Sequence, residues 1–302
     1  MMKLRQSLRN SVKTGLLKIC VIITCLSGCT LSTTPTYFSE EVDKAIQDVC
    51  KKESNIAVRA KLVGSTLWVY LPFENLFEKS DKQEKYTEKF EVEANKVRLS
   101  TGIFKLEYLI KPIPEQEKLQ EEGAVIYNKD FLKQYYNVRN TVLRVLFSAK
   151  RSEKEEPKFI CIVTADIKNG FEIKELSYYL DLKKISYGFI STSEYQHRTI
   201  QEINMGAEII GDKEGNHLVY KDTGLDNFII AQIKHRIQLK FQKPEVEKNA
   251  DIDKEIMKII VYTLKTYNFK DFSAVELANL LTNSKIELNR AAIWARSIEQ
   301  KF

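Results

Sequence analysis

Histidine, cysteine, proline and glycine are all scarce in this 302-residue chain, at three, five, six and eleven residues. Three scattered histidines and so few cysteines leave little material for a Cys/His zinc centre. The glycines are dispersed. None forms a phosphate-cradling loop or a Gly-x-Ser-x-Gly elbow, and no two-histidine metal helix occurs. No cofactor is therefore expected. A long apolar run is missing too: the most hydrophobic stretch, Ile19 to Leu26, belongs to an apolar segment of about ten residues, half of what a spanning helix needs.

That stretch makes sense as a signal peptide. Lys3, Arg5, Arg9, Lys13 and Lys18 form a positive segment without an acidic residue, the apolar run follows, and Ser27-Gly28 supply the small residues before a cleavage point. Leu26-Ser27-Gly28-Cys29 resembles the lipobox of bacterial lipoproteins. The resemblance covers only these residues and the segment before them. It implies cleavage before Cys29, a diacylglyceryl group on its thiol and acylation (palmitate or a similar chain) of the new amino group, which together anchor durably. The resemblance also implies export and membrane attachment through the lipid on Cys29. Thr30, where lipoproteins of two-membrane bacteria carry Asp for inner-membrane retention, points to the periplasmic face of the outer membrane in such an organism. Residues 30–36, with Ser32, Thr33, Thr34 and Pro35, read as a flexible tether.

The signal changes what composition means. Five of the six net positive charges sit in it, so the remainder is nearly neutral and global charge gives no support for nucleic-acid binding. Cys20 and Cys25 leave with it and Cys29 is lipidated, leaving Cys50 and Cys161. An exported context permits a disulfide between them, although both lie among apolar neighbours where unpaired cysteine is common.

Periodicity predicts an α+β fold with antiparallel hairpins packed on amphipathic helices. A helix opens at Ser39 and buries Val42, Ala45, Ile46, Val49 and Cys50 on one face. Residues 56–71 alternate as two strands around Gly64-Ser65, a type II′ hairpin signature. The charged run 78–96 reads as a linker followed by a solvated helix or edge strand, 103–113 as a strand and 115–122 as an acidic loop. A long helix spans 129–150. Residues 159–167 form a strand apolar on both faces and therefore central, and Asn169-Gly170 turns it into a returning strand at 171–179. Residues 181–201 read as two helical pieces broken near Gly188, with Ser191 or Ser193 as cap. Helices follow from Gly224 to Pro244 and from Asp251 or Asp253 through Leu264. The tail reads two ways. Ser273-Ala274-Val275-Glu276 is a capping box for a helix, whereas Val275 and Leu277 alternate and 286–288 offers a partner strand. Residues 291–298 suggest a last short helix. The order helix, strand, turn, strand occurs at 39–72 and 129–179, and again at 252–289 if the tail is strand. The expected organisation is a signal (1–28), lipidated Cys29 and tether (29–37), and α+β domains at 38–127 and 128–302.

Candidates for chemistry are few. Asp166 ends the central strand before a turn, where a carboxylate serves as base or ligand, or accepts turn amides. With Glu175 it defines the carboxylate-hydrolase alternative. Glu194 and His197 stand at metal-binding helical spacing, one such pair being half of what a di-metal bundle uses. Asp212, Glu214, Asp222 and Asp226 form an acidic run without calcium-loop spacing. Lys234, Arg236, Lys240 and Lys243 decorate a helix that either rests on anionic head groups or is simply solvated. Tyr135, Tyr136, Tyr178, Tyr179, Tyr187 and Tyr195 are material for a binding surface or a core rim. The reading that follows is a lipid-anchored envelope protein, a non-catalytic scaffold or binding module with envelope protein partners. The alternatives are a lipid or small-ligand carrier and the hydrolase.

Overall fold

Two β-hairpins laid side by side, inner strands parallel, form a frame that the chain builds twice. The computed structural model describes residues 37–38, 41–79, 84–87, 89–113, 119–122, 125–150, 156–242, 246–247 and 250–296. The signal, the lipobox with Cys29, the tether and the Ser39 cap lie outside these described residues.

In chain order the first elements are β1 (Tyr37–Phe38), α1 (Val42–Ser54), β2 (Arg59–Val63), β3 (Thr66–Phe73), β4 (Phe77–Lys79) and β5 (Glu84–Thr87). Then come β6 (Phe90–Ser100), β7 (Ile103–Pro112), β8 (Leu119–Glu122), β9 (Val125–Tyr127), α2 (Lys129–Ser148) and β10 (Ala149–Lys150). The middle holds β11 (Phe159–Asp166), β12 (Phe171–Tyr178), α3 (Tyr179–Ser186), α4 (Thr192–Arg198) and β13 (Ile200–Met205). The chain finishes with α5 (Leu225–Gln242), α6 (Ile252–Thr266), β14 (Ala274–Asn279), β15 (Ser284–Asn289) and α7 (Arg290–Ala295).

The five-stranded sheet runs β13-β12-β11-β3-β2, with β3 and β11 parallel at its centre and the remaining neighbours antiparallel. The four-stranded sheet runs β15-β14-β7-β6, again with a parallel central pair, β14 on β7. The fold is α+β, and the helix–hairpin order recurs three times: α1-β2-β3, α2-β11-β12 and α6-β14-β15. Gly64, at φ 57°, makes the first hairpin turn, and a Cβ there would collide with the Asp222 carboxylate.

Alternation along the strands decides what covers each face. Leu67, Val69, Leu71, Ile160 and Ile162 meet Ile46 of α1 and Val138 and Val142 of α2. Trp68, Tyr70, Cys161, Val163 and Ala165 point the other way, onto Ile209, Leu218 and Tyr220 of a long connection, residues 206–224. Every residue of β11 is buried, as its two-faced apolar sequence predicts. In the second sheet Phe104, Leu106, Val275 and Leu277 pack on α5 and α6 through residues such as Ile233 and Ile260. Its opposite face carries surface ion pairs, among them Arg98–Glu107 at 3.0 Å and Lys105–Glu276 at 3.5 Å.

Several expectations are corrected here. The tail is strand: Ser273 donates both amide and hydroxyl to the Gly102 carbonyl, at 2.6 and 3.0 Å, instead of capping a helix. Helix α4 ends at Arg198 and residues 200–205 form edge strand β13, while part of the acidic loop, 119–122, pairs with β5. Within 78–96 the edge-strand alternative fits, since β6 starts at Phe90, but the linker expected before it contains strand β5, Glu84–Thr87. The boundary at 127/128 is not a structural division, because each sheet takes one hairpin from either side of it. Cys50 and Cys161 form no disulfide. Both are free and buried, on opposite faces of the five-stranded sheet.

Candidate functional site

A histidine bonded to two carboxylates lies where residues 206–224 cross the second face of the five-stranded sheet. Gly170, at φ 73°, lets this strap pass close over the β11–β12 turn: a Cβ there would stand 2.9 Å from Ile210 Cγ1. The amide of Gly206 donates to the Gly170 carbonyl at 3.0 Å and that of Gly211 to Ile167 at 2.8 Å. The strap then folds around Asp212, whose carboxylate accepts the amides of Glu214, Gly215 and His217 at 3.0, 2.9 and 3.0 Å. This is an Asx-type turn of the kind that a Gly-Asp-x-x-Gly-Asn run favours.

The same carboxylate reaches the His217 ring, Oδ2 to Nδ1 at 2.6 Å, and Glu172 Oε2 of β12 meets Nε2 at 2.9 Å. Asn204 of β13 donates to the other Glu172 oxygen at 2.9 Å, and the Tyr70 hydroxyl donates to the Asp212 carbonyl at 2.5 Å. Glu172 is buried, and the side chains of His217 and Asp212 are 8% and 9% exposed. Burial alone would lower the His217 pKa, but the two carboxylates outweigh it and raise it. Burial likewise works against the Asp212 anion, yet the His217 ring and the strap amides bring its pKa below the usual carboxylate range. An imidazolium with both N–H groups donating is the species this geometry favours. With both nitrogens committed, the ring has no free lone pair to take a proton from a substrate, so the arrangement is a clamp fastening the strap to β12.

The other residues singled out in the sequence do not converge on this place. Asp166 is buried and spent on backbone amides, those of Lys168 and Asn169 in the turn at 3.2 and 2.9 Å and that of Leu76 after β3 at 2.9 Å. Glu175 faces α2 and takes the Tyr135 hydroxyl, and burial raises its pKa. Register sets Glu175 opposite Ile162, four positions from Asp166, or roughly 13 Å along the strand, so the two carboxylates share no cleft. Glu194 binds Arg198 at 2.6 Å and accepts the Tyr262 hydroxyl, so it forms no metal pair with His197. Arg198 also reaches buried Asp181 at 2.8 Å, tying α3, α4 and α6 together. Burial, with Arg236 and His197 nearby, lowers the His235 pKa to about 4.

The acidic run disperses into separate tasks. Asp222 accepts the Ser65 amide and the Ser65 and Thr66 hydroxyls at 2.8, 3.0 and 3.1 Å, closing the first hairpin. Glu214 pairs with Arg59, and Asp226 lies in the first turn of α5. Among the described residues, no group of three or more His, Cys, Asp or Glu is placed to hold a metal ion. Arg236 is buried 3.8 Å from Glu194 with its guanidinium over the Tyr262 ring, so it does not contribute to a head-group surface. Lys234 is exposed, and Lys243 lies outside the described residues. Of the tyrosines, 179 and 195 are buried and 136 and 187 exposed. Two open clefts are lined by charged residues, one beside the clamp by Glu208, Asp212, Lys213 and His217, another by Lys44, Asp48, Lys51 and Arg59. Neither is the enclosed apolar cavity that a lipid carrier needs.

Asp212 stood out in the sequence, but Glu172, the union of the two with His217, and strand β13 did not. The Asp212–His217 turn has a local signature, but Glu172 lies far upstream and only strand pairing delivers it. No known protein family matches this chain, and no curated protein or solved structure is significantly similar to it.

Proposed function

We propose that this chain is an exported protein of the cell envelope, held to the membrane by lipid on Cys29 and acting as a non-catalytic binding or scaffold module. In an organism with two membranes it works from the periplasmic face of the outer one. The observation that carries the reading is β13. Among the described residues no strand pairs with its outer edge, and Ile203 and Met205 on it are 64% and 83% exposed. A free edge with projecting apolar side chains is a ready template for a partner's extended segment, whose backbone supplies hydrogen bonds and whose side chains meet Ile203 and Met205. Further support comes from Asp166, Glu175, Glu194, Asp212 and the clamp histidine, each already bonded within the chain.

The test is a photoreactive side chain at Met205, irradiated in intact envelopes, followed by isolation of adducts. A defined protein adduct that disappears in the Ile203→Asp chain is the expected result. Adducts unaffected by Ile203→Asp, or none, would remove the edge as the binding surface.

A further inference from the structure

A second exposed apolar group stands where the tether enters the fold. Strand β1, directly after the tether, pairs in parallel with β10, Tyr37 opposite Ala149 and Phe38 opposite Lys150. Two residues before β10, Phe147 stacks on Tyr187, ring centres 5.9 Å apart and planes within 7°, and Tyr187 meets Phe189 at 6.3 Å. Tyr187 and Phe189 are 65% and 77% exposed. Leu180, also exposed, shares a helix face with Lys184 and Tyr187 at i, i+4 and i+7. Gly188, at φ 74°, lies between the two rings, and a Cβ there would meet no atom within 4 Å.

We infer that Phe147, Leu180, Tyr187 and Phe189 form a membrane-docking face that dips into the interfacial layer of the bilayer carrying the anchor. The inference rests on the anchoring proposed above. Cys29 lies eight residues before Tyr37, so a lipid on its thiol holds β1 within roughly 27 Å of the membrane surface. Strand β1, and β10 paired with it, thereby stay within reach of the bilayer. Contiguous exposed apolar groups mark an interaction site, and aromatic rings with a polar rim suit the head-group level. Lys184, three residues before Tyr187 and paired with Asp181 at 3.5 Å, provides that rim, whereas Lys183 is held by Glu156 at 3.0 Å.

The test places a photoreactive phenylalanine at Phe189 or, as the control, at exposed Leu281 in the full chain. Each is irradiated in the membranes of the expressing cells, and circular dichroism verifies the fold. Several-fold more lipid adduct at 189 than at 281 is the expected result. Equal yields, or protein adducts dominating at 189, overturn the docking face. Mass spectrometry of the peptide containing Cys29 reports the anchor separately. A diacylglyceryl thioether without lipid adducts at 189 refutes the face alone, and an unmodified Cys29 without such adducts refutes both.

Discussion

His217 binds a carboxylate at each ring nitrogen, and that makes stability depend on pH in a stated direction. Its folded pKa is raised above the ordinary value near 6.5, so its contribution is complete below that value and is lost as pH rises through the folded one. Asp212 acts in the opposite sense: its folded pKa is lowered, so its contribution is present above the ordinary carboxylate range and lost as pH falls. The stabilisation peaks between the two. His217→Gln should cost about 2 kcal/mol near pH 5.5, the scale of hydrogen bonds to charged groups, and less by pH 9. Urea unfolding of both chains across this range checks it, and a difference that does not shrink at high pH would contradict the clamp.

At the scale of elements, the tail shows one local signal losing to another. A helix over 273–281 would be only about nine residues long, too short to be stable on its own whatever its cap. As β14 the same residues bond to β7 on one side and β15 on the other, and Val275 and Leu277 enter the core. Leu277→Ala should therefore destabilise the protein by about 2–5 kcal/mol in denaturant unfolding, as expected of a buried leucine. Amide exchange should be slower across 274–279 than across edge strand β15. The converse explains β13: Ile200–Met205 has one buried residue and little alternation, so only pairing with β12 makes it a strand.

For the whole molecule, the interleaved sheets forbid a division at 127/128. Residues 38–127 hold hairpins β2–β3 and β6–β7 without their central partners β11 and β14, and isolated hairpins are marginal in water. Expressed separately, 38–127 and 128–302 should each show the poor amide dispersion of unfolded chains by NMR, while 38–302 shows a dispersed spectrum. A folded 38–127 fragment would refute this.

The sequence by itself determined the local elements with strong periodicity: α1, the Gly64 hairpin, the two-faced β11 and the break at Gly188. It also showed that a Gly-rich phosphate loop, a Gly-x-Ser-x-Gly elbow and a two-histidine metal helix are missing, because those motifs are defined by local spacing. Tertiary structure alone decided what lies beside what. The parallel pairings β3–β11 and β7–β14, the Glu172–His217–Asp212 clamp and the stacking of Phe147 on Tyr187 join residues far apart in the chain. Periodicity reports which face of an element is apolar and not which partner will cover it, so the repeated frame became legible only when its hairpins had met.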